Sequence, residues 1–196
     1  MNPNTLYILK YAFIVLMLFC SGCAGITIPL DYNSSVIQQQ IPFEFVDSRP
    51  AIDKQFKNAT KEYPAVIYGD TDFVPSRMEV LKAELLEKAG DKLKNKKIEI
   101  ISFKFVAYLP EWYSRIDKGS WFGPLGIVVA SAINNSDNTN KFICSIEGQI
   151  DGKRIEATGS ERINGFIDLE PARKTGGELI KKTIRDFSNK IDLELK

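Results

Sequence analysis

Apolar residues take every second position in IPFEFV, where Ile41, Phe43 and Phe45 share a face, and that period of two predicts a strand over 41–46. Asp47-Ser48-Arg49-Pro50 then breaks the pattern with turn-forming residues. Residues 51–63 are charged and mixed and read as a loop, and Ala65–Tyr68 (AVIY) reads as a short second strand closed by Gly69-Asp70. From Ser76 to Leu93 the period becomes helical: Met78, Leu81, Leu85, Ala89 and Leu93 form one apolar stripe, with Leu86 beside it. Ser76 and Glu79 have capping-box spacing, in which the hydroxyl accepts an orphan N–H and the carboxylate reaches back to the cap. Lys92, Lys94, Lys96 and Lys97 follow, where the negative end of a helix favours cations. Ile98 to Leu109 returns to strand spacing. Ile101, Phe103, Phe105, Ala107 and Leu109 are expected on the inner face, with Ser102 and Lys104 facing away, and Pro110 ends the run.

Phe142 to Ile163 predicts a hairpin, because Asp151-Gly152 supplies two central residues that tolerate positive φ. That turn sets Ile150 opposite Lys153, Gly148 opposite Ile155, Ile146 opposite Ala157 and Cys144 opposite Gly159 on a largely apolar face. The second face pairs Gln149 with Arg154 and Ser145 with Thr158, and is expected to be wet. It also opposes Glu147 and Glu156, a like-charge pair that Arg154 stands close enough to soften. A second helix is expected from Thr175 to Leu193, or from Pro171, with Ile180, Ile184, Phe187 and Ile191 as its stripe. Thr175 and Glu178 match a capping box, although Gly176-Gly177 weakens that first turn. The fold class is therefore α+β: a two-layer sandwich with an antiparallel or mixed sheet of about four to six strands and two amphipathic helices on one face.

Trp112 to Asn140 interrupts this scheme as an aromatic and apolar insert, 112–140, within a single domain spanning 41–196. It holds both tryptophans, Trp112 and Trp121, with Tyr113, Phe122 and Leu125, then an apolar stretch to Ile133 and a polar run from Asn134 to Asn140. Gly126 to Ile133 is too short to span a bilayer. Two readings are open: a further core strand or buried helix entered through an aromatic loop, or an exposed flap. In the second, Trp112, Tyr113, Trp121, Phe122 and Leu125 contact a partner or lipid, since such rings favour the membrane interface and exposed apolar patches mark binding surfaces.

The first residues point to export. A weakly basic start with Lys10 precedes the apolar run Tyr11–Phe19, and small residues follow at Ser21, Gly22, Cys23, Ala24 and Gly25. Ser21-Gly22-Cys23 resembles the lipobox of bacterial lipoproteins, with Cys20 standing where that family favours Leu. The resemblance implies a signal peptide over 1–22, cleavage before Cys23, and acylation of the Cys23 thiol and of its freed amine. Multiple acyl chains make a stable anchor. Residues 23–40, with Gly25, Pro29, Asn33-Ser34-Ser35 and Gln38-Gln39-Gln40, would then be the lipidated N-terminus and a flexible tether on which the body stands off the membrane. In that family an Asp after the lipidated Cys favours the inner membrane, so Ala24 implies the periplasmic face of the outer membrane, with an inner-membrane anchor as the alternative. An uncleaved anchor helix and plain secretion are the competing readings of the same run.

Composition narrows the chemistry. Without residues 1–22 the chain carries as many basic as acidic side chains, which leaves no electrostatic footprint for nucleic acid. Only Cys144 would remain as a thiol, so no intrachain disulfide is expected. There is no histidine, which removes Ser-His-Asp and Cys-His catalysis and most zinc sites. Asp70 and Asp72 form a D-x-D without the rest of a calcium loop, and turn or helix-entry roles suit them better. Asp47 and Arg49 are expected as a structural ion pair, Cys144 as a buried inert thiol, and Glu111 with Asp117 as an unpersuasive hydrolase pair. No phosphate-binding glycine loop is present.

With the strand end FEFVDSR (Phe43 to Arg49), then a long helix, a strand, a hairpin and a last helix, the body resembles YajG-like envelope lipoproteins, and the insert 112–140 departs from that outline. The resemblance carries no catalytic residues. The function expected is a non-enzymatic, membrane-anchored accessory or docking component of a cell-envelope complex, without catalytic residue, cofactor or metal. The alternative is a lipid- or small-ligand-binding periplasmic module that uses the insert.

Overall fold

The computed structural model describes residues 27–32, 37, 40–58, 65–109, 139–163 and 170–196. In chain order their elements are β1 (Ile28–Pro29), β2 (Glu44–Asp47), α1 (Ala51–Lys54), β3 (Ala65–Ile67), a 3-10 turn (Asp70–Asp72), β4 (Phe73–Val74), α2 (Arg77–Ala89), β5 (Lys97–Tyr108), β6 (Lys141–Ile150), β7 (Lys153–Arg162) and α3 (Glu170–Glu194). The 12-residue β5 organises the main sheet. One edge pairs along its length with β6; the other is shared by β2, parallel to its first residues, and β3, antiparallel to its last. The resulting mixed sheet has five strands in the order β2-β5-β6-β7 with β3 also on β5, while β1 and β4 form a separate parallel pair. The buried stripes of α2 and α3 join the sheet's inner residues in one core that includes Leu81, Leu85, Phe103, Phe105, Phe142, Ile184 and Phe187. This is an α+β sandwich with both long helices on one face.

Local chemistry explains most boundaries. Ser76 caps α2 by accepting the Glu79 N–H at 3.4 Å, and the Glu79 carboxylate accepts the Ser76 N–H at 3.0 Å. Met78, Leu81, Leu85, Ala89 and Leu93 are all buried. All seven hairpin pairs form in the expected register, and Asp151 and Gly152 have φ of 50° and 79°, as that tight turn needs. The opposed Glu147 and Glu156 are both held by Arg154, at 2.6 and 2.9 Å.

The structure corrects four expectations. A bulge between Ile100 and Ser102 resets the alternation of β5, so Ile98 and Ile100 join Phe103, Phe105, Ala107 and Leu109 in the core while Ile101 is only half-buried. The outer face of β6 is not wet: Ser145 and Glu147 are buried, because β6 is flanked on both edges and Arg154 lies against Glu147. Residues 51–54, read as loop, form the helical turn α1 with Asp53 buried. Finally, of the two starts expected for the last helix, Thr175 with its capping box gives way to the Pro171 alternative: α3 is already helical at Glu170, and the Thr175 hydroxyl donates to the Pro171 carbonyl.

The segment read as a tether is also partly built into the body. Ile28 pairs with Phe73, the Leu30 N–H donates to the Val74 carbonyl at 2.8 Å, and both Ile28 and Leu30 are fully buried. Gly176 and Gly177 make room for them. A Cβ on Gly177 would lie 2.6 Å from the Pro29 carbonyl oxygen, and one on Gly176 would lie 3.0 Å from the Phe105 ring. The glycine pair that weakens α3 by helix propensity is what lets β1 lie on it. Residues 33–36 and 38–39 lie outside the described residues.

Candidate functional site

Cys23, Trp112, Tyr113, Trp121, Phe122 and Leu125, the residues singled out for lipidation and for partner or lipid contact, lie outside the described residues, as do Glu111 and Asp117. Two features of the described body concentrate polar chemistry: a buried arginine–aspartate network and the exposed flank of α3 beside β1.

The network gathers the ends of several elements. Arg49, just past β2, grips two carboxylates with one planar fork: Nε and Nη2 donate to Asp47 at 2.8 and 3.0 Å, and Nη1 and Nη2 donate to Asp70 at 3.0 and 2.8 Å. Arg77, the first residue of α2, donates from Nε to the same Asp70 at 3.0 Å and from Nη2 to the Asp53 carbonyl. Its guanidinium lies between the rings of Phe73 and Phe103, 5.2 and 5.0 Å from their centroids. Asp53 accepts from the Ser102 hydroxyl at 2.6 Å, and Asp72 accepts the Gly69 N–H at 2.6 Å.

Hydrogen bonds from Arg49 hold the Asp47 carboxyl well below the ordinary range. Burial pushes Asp70 upward, but the hydrogen bonds and charges of Arg49 and Arg77 outweigh it and the net shift is downward. Burial likewise disfavours the Arg49 cation, and its two aspartates overcome that. Arg77, more deeply buried, is shifted down by desolvation. Both aspartates are therefore occupied by arginine and neither is poised to move a proton near neutrality. The arrangement ties β2, α1, the 3-10 turn and α2 together. The expected Asp47–Arg49 pair is present within it, and Asp70 and Asp72 act as turn and helix-entry carboxylates. Sequence spacing found Asp47, Arg49, Asp70 and Asp72 but neither Asp53, in a segment read as loop, nor Arg77, because a charged residue at a helix start ordinarily faces water.

Cys144 is buried in the core, and desolvation pushes its thiol up to about 12, so it is not a nucleophile at neutral pH. Among the described residues no group of three or more Cys, Asp or Glu side chains could hold a metal ion, and no helix is long and apolar enough to cross a membrane.

The α3 flank is different in kind. A groove of about 460 Å³ runs between β1 and α3, lined by Pro29, Asp31, Glu170, Arg173, Lys174 and Glu178. A second, of about 570 Å³, lies between α3 and the end of β7, where Lys174, Lys181, Lys182 and Arg185 meet Glu161 and Glu178. Lys181, its side chain largely covered, pairs with Glu178 at 2.8 Å, and the exposed Lys182 pairs with Glu161 at 3.2 Å. The helical spacing of these cations is visible in the sequence; that β1 lies beside them is not.

No protein-family model, curated protein or solved structure matches the chain.

Proposed function

We propose that this chain is a non-enzymatic lipoprotein of the bacterial cell envelope, anchored through acyl chains on Cys23, whose α+β body serves as an accessory or docking component at the membrane surface. Ser21-Gly22-Cys23 after the apolar run Tyr11–Phe19 is the observation that carries it. The body supports the reading in two ways. Its most concentrated acids are taken up by Arg49 and Arg77 in a structural clamp, and its described thiol is buried. Its first strand, Ile28–Pro29, also follows Cys23 so closely that acyl chains there would hold the folded body, not a loose tail, against the bilayer. Ala24 favours the outer membrane by the sorting preference of lipobox proteins.

Metabolic labelling with an alkyne-bearing palmitate analogue, followed by intact mass, tests the anchor. The purified protein is expected to carry the label, to lack residues 1–22, and to lose both properties on Cys23→Ala. An unlabelled protein whose mass still includes Met1 refutes the proposal. Crosslinking in the native envelope then tests the docking role, with a specific integral-membrane or periplasmic partner expected. If every specific crosslink is absent while labelling succeeds, the anchor stands and the docking role falls.

A further inference from the structure

We propose that the first half of α3 is a membrane-docking face that binds anionic phospholipid headgroups of the leaflet holding the Cys23 anchor, an inference that rests on the lipidation proposed above. Only Ala24 to Thr27 separate Cys23 from the buried residue Ile28. Five peptide steps span at most about 18 Å when fully extended. A domain of this length has a radius of gyration of about 16 Å. A body held by so short a leash lies on the headgroups instead of standing clear of them, and the surface flanking β1 must face the bilayer.

That surface is the basic half of α3. Between Pro171 and Arg185 the helix carries Arg173, Lys174, Lys181, Lys182 and Arg185 against one acid, Glu178. From Asp186 onward the balance reverses, with Asp186, Asp192 and Glu194 against Lys190 and Lys196. Helix stability does not account for this order, since the macrodipole favours acids near the start of a helix and cations near its end. The contact of β1 with Gly176 and Gly177 fixes the leash beside the basic half and away from the acidic one. The acids facing the patch are Asp31, Glu161, Glu170 and Glu178. The ion pair between Lys182 and Glu161 is solvent-exposed on both sides, and such pairs are weak enough to exchange for lipid phosphate, whereas Lys181, paired with Glu178, is largely covered. Each Lys or Arg brought to an anionic surface favours the docked state by about fivefold at ordinary salt.

The test is lysine acetylation footprinting of the native lipidated protein in vesicles, read by mass spectrometry. One set of vesicles is phosphatidylcholine with about one-third phosphatidylglycerol and the other is phosphatidylcholine alone; Lys57, Lys94 and Lys153 serve as internal controls. The exposed Lys174 and Lys182 are expected to react at least about threefold more slowly on the anionic vesicles, the controls to be unchanged, and the protection to disappear at high salt. The surface variant Lys174→Glu/Arg185→Glu is expected to abolish the protection of Lys182 while leaving the denaturation midpoint in place. Equal reactivity on both vesicles, with acyl chains confirmed by mass, overturns the docking face and leaves the anchor intact. Equal protection on both shows proximity without headgroup recognition and also overturns it. Protection seen only in native envelopes reassigns the face to a protein partner. A mass without acyl chains refutes the anchor itself, and the docking face falls with it.

Discussion

Gly177→Ala isolates the contact that places the N-terminal strand. The new methyl would sit 2.6 Å from the Pro29 carbonyl oxygen, which is backbone and cannot swing aside as a side chain would. Either α3 shifts against the whole core or β1 leaves, and β1, two residues long and held by one strand partner, is the weaker element. Its departure exposes Ile28 and Leu30, now 1% and 0% accessible. Burying each side chain is worth about 1.5–3 kcal/mol, so losing both costs about 3–6 kcal/mol, an upper bound because unfolded chains already bury some surface. Replacing a helical glycine by alanine returns about 1 kcal/mol. The net expectation is a loss of about 3 kcal/mol in urea unfolding of the full chain, with the Leu30 amide, which now donates to Val74, losing its protection from hydrogen exchange. Ile28→Ala acts through the same strand, so the double variant should cost clearly less than the two single losses added. A Gly177→Ala protein as stable as the parent, with Leu30 still protected, would falsify the claim that β1 depends on this glycine.

Three further outcomes follow from the geometry. Asp47 and Asp70 have folded pKa values below their unfolded ones, so the stability they contribute is fully present above about pH 4 and is lost as pH falls through the folded values. The urea midpoint should therefore drop on acidification, with a shallower acid slope in Asp70→Asn. Arg154→Ala leaves Glu147 buried opposite Glu156 and is expected to cost about 2 kcal/mol, most of it restored by adding Glu147→Gln; no recovery in the double variant would contradict the account of that pair. Cys144 should resist iodoacetamide at pH 8 in the folded protein and react on unfolding, and rapid alkylation of the native protein would show that the thiol is not enclosed.

Where a segment's own chemistry decides its structure, the sequence alone sufficed. Asp151-Gly152 determined the hairpin and every pair in its register, Ser76 and Glu79 determined the start of α2, and the apolar stripes of both long helices named the residues that reach the core. These features depend on neighbours within a few residues, so local sterics and hydrogen bonding specify them. Tertiary structure decided the rest. The β5 bulge moved Ile98 and Ile100 into the core because two partners, not one, fix that strand's register. Arg77 became buried because Asp70 and two aromatic rings converge on it from elsewhere in the chain. Gly176-Gly177 looked like a flaw in a helix until Ile28 and Pro29 were found against it. That packing turns a presumed tether into part of the core and sets the basic half of α3 beside the chain's approach from Cys23. Pairings between segments so far apart depend on which surfaces meet after collapse, and no periodicity within either segment records them.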